Sequence, residues 1–258
     1  MKKLIKFKYK LDNIFYNFFK KNGYIIYKNI ISKKEIEEFK SELSNIIKSY
    51  CKKNFTKLKF RSTNDWLNKP IIYMSKNKKN GIGEIYDTIF NTPSFFRICG
   101  NKKIEKIIKF LLNGNNQMSL YGHTNRCRID PPEDERRTYD WHQETFYTIP
   151  KSNYIQTWSP LIYPSTTENG TIEICPKSHL EGIPKQNWYQ KKNKAIQILI
   201  NKKIIEKYEP LSVNINPGDV LLFSGRLAHK SGRNLSNKVR FSLVGMYHDV
   251  NSKHFKSD

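Results

Sequence analysis

Acidic residues are scarce in this chain: 23 Asp and Glu stand against 46 Lys and Arg, a formal net charge of +23 over 258 residues. Long apolar runs are missing as well, and no stretch approaches the roughly 18 residues of a membrane-spanning helix. Four cysteines, Cys51, Cys99, Cys127 and Cys175, are scattered without a C-x-x-C pair, which argues against a disulfide scaffold and against a structural zinc site. The opening segment MKKLIKFKYKLDNIFYNFF is basic and aromatic. Lysines interrupt it every few residues, so it lacks the continuous apolar run and cleavage site of a secretory signal. The expectation is a cytoplasmic protein with no membrane span.

An excess of positive charge suggests nucleic acid or another anionic partner. Composition supplies a second source for it. Nine of the 46 basic residues are Arg, leaving 46 − 9 = 37 Lys, and Ile, Asn, Phe and Tyr are abundant, as AT-rich codons dictate. No helix-turn-helix or RNA-binding motif is present, and the aromatics sit in apparent core segments rather than along a basic stripe. A non-enzymatic nucleic-acid-binding module is the disfavoured alternative. A small anionic substrate, such as a sugar nucleotide or a phosphorylated or CoA-linked metabolite, remains compatible with the charge. Oligomeric state is not legible.

What is present is enough for a core. The apolar share is only 38%, but 15 Phe, 15 Tyr and 4 Trp each bury a large area. The length fits one domain over 1–258, with a helical part over about 1–114 and a β-rich part over about 115–250. Residues 11–22 form an aromatic amphipathic segment, and Tyr24 to Tyr27 a short strand. Ser32 and Glu35 have capping-box spacing ahead of a helix over about 33–52. Residues 53–84 read as loop with short elements, and 85–113 as helix broken near Pro93 and Gly100. Short β-rich runs follow at 118–130, 153–163, 171–175, 211–215, 219–224 and 238–248, separated by turn residues. An insertion over about 186–208 reads as helical, a candidate lid. Helices first and strands after give an α+β, mainly β expectation: a β jelly-roll core braced by N-terminal helices.

Chemistry concentrates in two places. His142-Gln143-Glu144 lies in YDWHQETFYTIP; on a strand, residues two apart share a face, delivering imidazole and carboxylate together. By itself such a pair is more often structural. The downstream segment NPGDVLLFSGRLAHKSGRNLSNKVRFSLVGMYH strengthens it, because His229 follows a turn and an apolar strand. Two His and one carboxylate leave coordination positions open for a bidentate cosubstrate and O₂ on iron(II). Ser231 stands two residues beyond His229. Arg240 alternates with Val239, Phe241 and Leu243, which aims its guanidinium inward, where it needs an anion. A dicarboxylate would supply one, and so would a structural salt bridge to an acidic side chain.

These motifs together resemble the phytanoyl-CoA dioxygenase-like branch of the iron(II)/2-oxoglutarate oxygenases. The resemblance runs in order over residues 15–248: FFKKNGYIIYKNIISKKEIEEFK, then WHQE, IQTWSPLIYP, ENGTIEICPKSH, and PGDVLLF…HKSGRN…R. It implies a jelly-roll dioxygenase with Fe(II), 2-oxoglutarate and O₂. His142, Glu144 and His229 would be the catalytic metal ligands, and Arg240 with Ser231 would hold the far carboxylate of 2-oxoglutarate. Trp158 matches the strand tryptophan beside the cosubstrate, and Gln143 the glutamine between the ligands. The family usually places Asp where Glu144 stands, a change of one methylene that keeps the oxygen donor. A carboxylate of either length argues against the halogenating relatives. The resemblance implies hydroxylation of an unactivated C–H bond of a small molecule, releasing succinate and CO₂; desaturation, epimerisation and cyclisation stay open.

Other candidates carry plainer readings. His179 is expected to hydrogen-bond structurally. His248 and His254 compete with His229 only under a different strand order, and His123 is a pocket or surface residue. Arg126 and Arg128 alternate toward Asp130; either could meet the cosubstrate or an anionic substrate, or be a solvated pair. Of Tyr139, Trp141 and Tyr147, at least one should be core packing.

Overall fold

A computed structural model describes residues 4–55, 60–77, 80–114, 117–136, 138–144, 153–184, 186–189 and 197–255. The chain opens with α1 (Asn13–Asn22), β1 (Tyr24–Tyr27) and α2 (Lys33–Asn54). Asp12 caps α1, its Oδ1 accepting from the backbone N–H groups of Ile14 and Phe15. Gly23 ends that helix in the left-handed region, φ 77°. An added Cβ there would also lie 2.4 Å from the His179 ring, so glycine alone suits the position. Ser32 and Glu35 close the capping box as expected. Replacing Ser32 by Ala should cost about 1 kcal/mol. The stripe Ile36, Phe39, Leu43, Ile47 and Cys51 is buried, at the spacing that puts apolar groups on one helix face.

Four further helices precede the sheets: α3 (Thr63–Lys76), α4 (Ile82–Ile89), α5 (Pro93–Cys99) and α6 (Lys102–Leu111). α3 replaces the loop expected over 53–84. Pro70 lies inside it, where a missing N–H reads as a break. However, Ser62 caps its start by accepting from Asp65 N, and Trp66, Leu67, Pro70, Ile71 and Met74 are buried on one side.

The strands are β2 (Leu120–Asp130), β3 (Tyr154–Pro160), β4 (Ile172–Ile174), β5 (Gln186–Tyr189), β6 (Gln197–Ile200), β7 (Leu211–Ser212), β8 (Val220–Ser224), β9 (His229–Ser231) and β10 (Arg240–Asp249), with the short helix α7 (Lys202–Ile205) after β6. A five-stranded sheet runs β1-β8-β3-β10-β2 and a three-stranded one β7-β4-β9, all antiparallel. The larger sheet's outer face, with Ile25, Tyr27, Leu222, Phe241 and Leu243, joins the helices in one apolar cluster. Its inner face, with Tyr24, Ile26, Trp158, Leu221 and Phe223, packs on Ile172, Ile174 and Leu211 of the smaller sheet. Side chains alternate with period two, so the inner-face positions of β3 and β10 face the space between the sheets. This is a jelly-roll core braced by N-terminal helices.

The insertion differs from its expectation. β5 and β6 pair as an antiparallel ladder, Gln186 opposite Ile200, and only Lys202–Ile205 is helical. The short apolar, β-branched run Ile198-Leu199-Ile200 is a strand signal that outweighed the helix-forming lysines. Residues 190–196, part of the proposed lid, lie outside the described residues. No helix among the described residues is long and apolar enough to cross a membrane.

Candidate active site

Two imidazoles meet through their backbones. His142 N donates to His229 O at 3.0 Å, and His229 N donates to His142 O at 3.1 Å. The expected strand at His142 is therefore a single antiparallel bridge, which still presents both rings to one side, 4.2 Å apart between centroids. Each ring is fixed at its other nitrogen: Nδ1 lies 2.6 Å from the Asp140 carbonyl oxygen in His142 and 3.0 Å from that of Leu227 in His229. A carbonyl only accepts, so Nδ1 carries the proton and Nε2 keeps its lone pair for a ligand. Glu144 Oε1 sits 3.4 Å from His142 Nε2 and 3.9 Å from His229 Nε2. One donor atom from each residue lies within 4.8 Å of the others, and among the described residues no second such group of His, Cys, Asp or Glu occurs.

The electrostatics suit a cation. Burial, then the adjacent His142, pushes the His229 imidazole down to about 3, so it is neutral and ligand-ready near pH 7. Burial pushes the Glu144 carboxyl up, but His142, His229 and Arg128 together overcome this and hold the group below its ordinary value. Two imidazole nitrogens and one carboxylate at the edge of a cavity form a donor set that fits an iron(II) with open positions.

Beside this group lies a second cluster. Asp130 Oδ2 accepts from Arg240 Nη2 at 2.9 Å and Nε at 3.3 Å, and from Arg128 Nε at 3.3 Å; its Oδ1 accepts from Arg128 Nη2 at 2.8 Å. The Asn169 and Gly232 carbonyls take Arg240 Nη1 at 3.3 and 3.4 Å. Burial raises the Asp130 carboxyl, but the two guanidinium charges overcome this and hold it well below the usual carboxylate range. Arg128 and Arg240 thus share the Asp130 carboxylate, and both guanidiniums line the cavity. That cavity measures about 520 Å³ and is walled by both clusters and by Ser231, Trp158 and Phe223.

The family model for phytanoyl-CoA dioxygenase (PhyH) matches residues 19–242. The chain belongs to this family. Phytanoyl-CoA dioxygenase family relatives include the peroxisomal enzyme of Bos taurus, 24% identical over 242 residues that cover 91% of this chain and 67% of the relative. Ectoine dioxygenase of Sphingopyxis alaskensis is 20% identical, covering 91% of this chain and 75% of the relative. Among solved structures, EctD from S. alaskensis with 2-oxoglutarate and 5-hydroxyectoine superposes with a TM-score of 0.65 at 17% identity, covering 95% and 78%. The epimerase SnoN, in complex with Fe3+, alpha ketoglutarate and a nogalamycin compound, gives 0.63 at 14%, covering 92% and 83%. At these identities the structures speak for the fold.

Within this family member, the structure gathers His142, Glu144, His229, Arg240, Ser231, Trp158 and Arg128 at the cavity wall. Gln143 is the exception. Its side chain turns away, Nε2 donating to the carbonyls of Gly182 at 3.0 Å and Arg226 at 2.5 Å, so it ties the motif to neighbouring loops. Of the two expectations for Arg240, the salt bridge to an acidic side chain is present: it pairs with Asp130 beside the cavity. His179 Nε2 pairs with the Lys20 carbonyl at 3.0 Å. His248 is buried and stacks on Tyr154, ring centroids 4.5 Å apart, and His254 is exposed; neither joins the ligand group. His123 takes part in the β2–β10 ladder, and its side chain lies outside the description, as does Tyr147. Tyr139 lines the cavity, whereas Trp141 packs under Lys230, whose Nζ is 5.0 Å from its ring centroid. Sequence reasoning missed Tyr86, Gln156 and the role of Asp130; only the alternation Arg126, Arg128, Asp130 signalled the last.

Proposed function

We propose that this chain is an iron(II)- and 2-oxoglutarate-dependent dioxygenase whose metal is held by His142, Glu144 and His229, and which hydroxylates a small, anionic molecule. The observation that carries the reading is the convergence of two Nε2 atoms and one carboxylate oxygen within 4.8 Å, with both Nδ1 atoms engaged by carbonyls. When bound, such an iron supplies dioxygen activation coupled to oxidative decarboxylation of 2-oxoglutarate to succinate and CO₂, and oxidation of a substrate C–H bond.

The remaining work falls to side chains. Arg240 and Ser231 would anchor the far carboxylate of 2-oxoglutarate. Asp130 engages Arg240 through Nε and Nη2, and Nη1 meets two carbonyls, so the anchor holds its direction before any ligand arrives. Arg128, tied to the same carboxylate, adds a second positive group to that end. Trp158 and Phe223 supply an apolar wall that excludes water and strengthens these charge interactions. The basic lining, Arg126 included, supports an anionic primary substrate.

The test is succinate formation from 2-oxoglutarate with added iron(II), comparing wild type, His142→Ala and Arg240→Ala. Loss of turnover in both variants is expected. Equal turnover in all three would overturn the proposal.

A further inference from the structure

Across β10 and β2, Arg240 stands opposite Asp130, Ser242 opposite Arg128 and Val244 opposite Arg126. Arg126 is therefore four residues from Asp130 along β2, about 13 Å at the rise of a strand. 2-Oxoglutarate is too short to reach both ends. Whereas Arg128 and Arg240 share a carboxylate, no acidic side chain among the described residues pairs with Arg126; its Nη1 donates to the Tyr86 hydroxyl at 3.4 Å. Tyr86 comes from α4 and lines the same end of the cavity.

Two buried polar atoms on that wall lack partners: Thr124 Oγ1 and Gln156 Nε2. Gln156 is only 1% exposed, and an unsatisfied donor so deep costs free energy unless something fills the space before it. Thr124 holds φ 52°, where the β10–β2 register shifts between Val244 and Met246. A β-branched residue is rarely found there, and the irregularity sets Thr124 and Arg126 at one cavity wall. Val244, Met246, Trp158 and Phe223 provide apolar surface between these polar groups and the metal ligands.

We propose that this end of the cavity is the primary-substrate subsite, and that it takes an oxyanion, a carboxylate or a phosphate, carried on an apolar body. Arg126 pairs with the anion; the Gln156 amide and Thr124 hydroxyl hydrogen-bond to the substrate's polar atoms; the apolar body lies along Val244 and Met246 toward the metal ligands. The proposal rests on the oxygenase reading above and assigns the part of the cavity that reading leaves over.

Titration calorimetry tests it on protein loaded with nickel(II) and 2-oxoglutarate, which does not turn over. The probes are hexanoate, hexyl phosphate and 1-hexanol. At least one anionic probe should bind wild type roughly tenfold or more tighter than the alcohol, as a charge-assisted pair requires, and the stronger anion identifies the group. Arg126→Gln should abolish this preference while 2-oxoglutarate affinity stays within about twofold, since Arg126 is exposed and remote from Arg240. Equal affinity for all three probes, or a preference that survives Arg126→Gln, overturns the subsite. The 2-oxoglutarate titration reports separately on the cosubstrate reading.

Discussion

His142 and His229 each donate their backbone N–H to the other's carbonyl, at 3.0 and 3.1 Å. This exchange joins residues far apart in sequence and sets both imidazoles on one side without help from a metal. The rings are then locked by Asp140 and Leu227 carbonyls. Because the link is backbone to backbone, His142→Ala should remove metal binding while leaving the fold. Its circular dichroism and urea midpoint without metal should match wild type within about 1 kcal/mol, because the residue sits at a cavity edge. A collapsed far-ultraviolet spectrum would show that the ring is structural instead.

Asp130 is the counter-charge for two guanidiniums. Asp130→Ala should destabilise by about 3–5 kcal/mol, the usual cost of removing one partner from a buried ionic group. Binding of glutarate should weaken along with it, because Arg240 loses the carboxylate that aims it. Denaturant unfolding and calorimetry read the two effects, and unchanged values in both would remove Asp130 from the account.

The same residue sets an acid limit. Its carboxyl is held below the ordinary value in the folded chain, so the unfolded chain binds the proton more readily. Its contribution is therefore fully present above the unfolded value of about 4 and is lost as pH falls through the folded one. Below about pH 4, wild type should lose stability more steeply than Asp130→Asn. Parallel stability curves for the two proteins across that range would contradict this.

Gln143 lies between His142 and Glu144, two of the proposed metal ligands, yet turns its amide to the carbonyls of Gly182 and Arg226. Gln143→Leu leaves both carbonyls without that donor, a loss of about 1–3 kcal/mol. The expected kinetic signature is lower kcat with an unchanged KM for 2-oxoglutarate. A rise confined to KM would place Gln143 at the cosubstrate after all.

Gly170 has φ 78°, and a Cβ there would lie 2.5 Å from the Arg233 carbonyl carbon and 2.6 Å from Gly232 O. Gly232 O is also a partner of Arg240. Gly170→Ala should cost about 1–3 kcal/mol in strain and weaken glutarate binding as the loop shifts; normal values of both would show that the loop yields freely.

Much of this was legible in the chain. The capping box at Ser32 and Glu35, the strand Tyr24–Tyr27 and the run into His229 rest on local patterns, and the structure follows them. The convergence of His142, Glu144 and His229 was legible because their motifs carry fixed spacing. What escaped was non-local or masked by composition. α3 hid behind lysines, asparagines and Pro70, although its buried stripe has helical spacing. The ladder of Gln186–Tyr189 with Gln197–Ile200 needed a partner strand to be recognised. Asp130 looked like one acid among 23, and only the neighbouring strand brings Arg240 opposite it. Gln143 shares its motif with His142 and Glu144, but backbone alternation turns it away.

The most direct measurement is iron stoichiometry under anaerobic conditions, read by calorimetry with 2-oxoglutarate present. Wild type should take up a single iron(II) per chain, and His142→Ala, Glu144→Ala and His229→Ala should each lose that binding while remaining folded. Full-strength uptake by any folded member of the three would contradict a metal held jointly by these side chains.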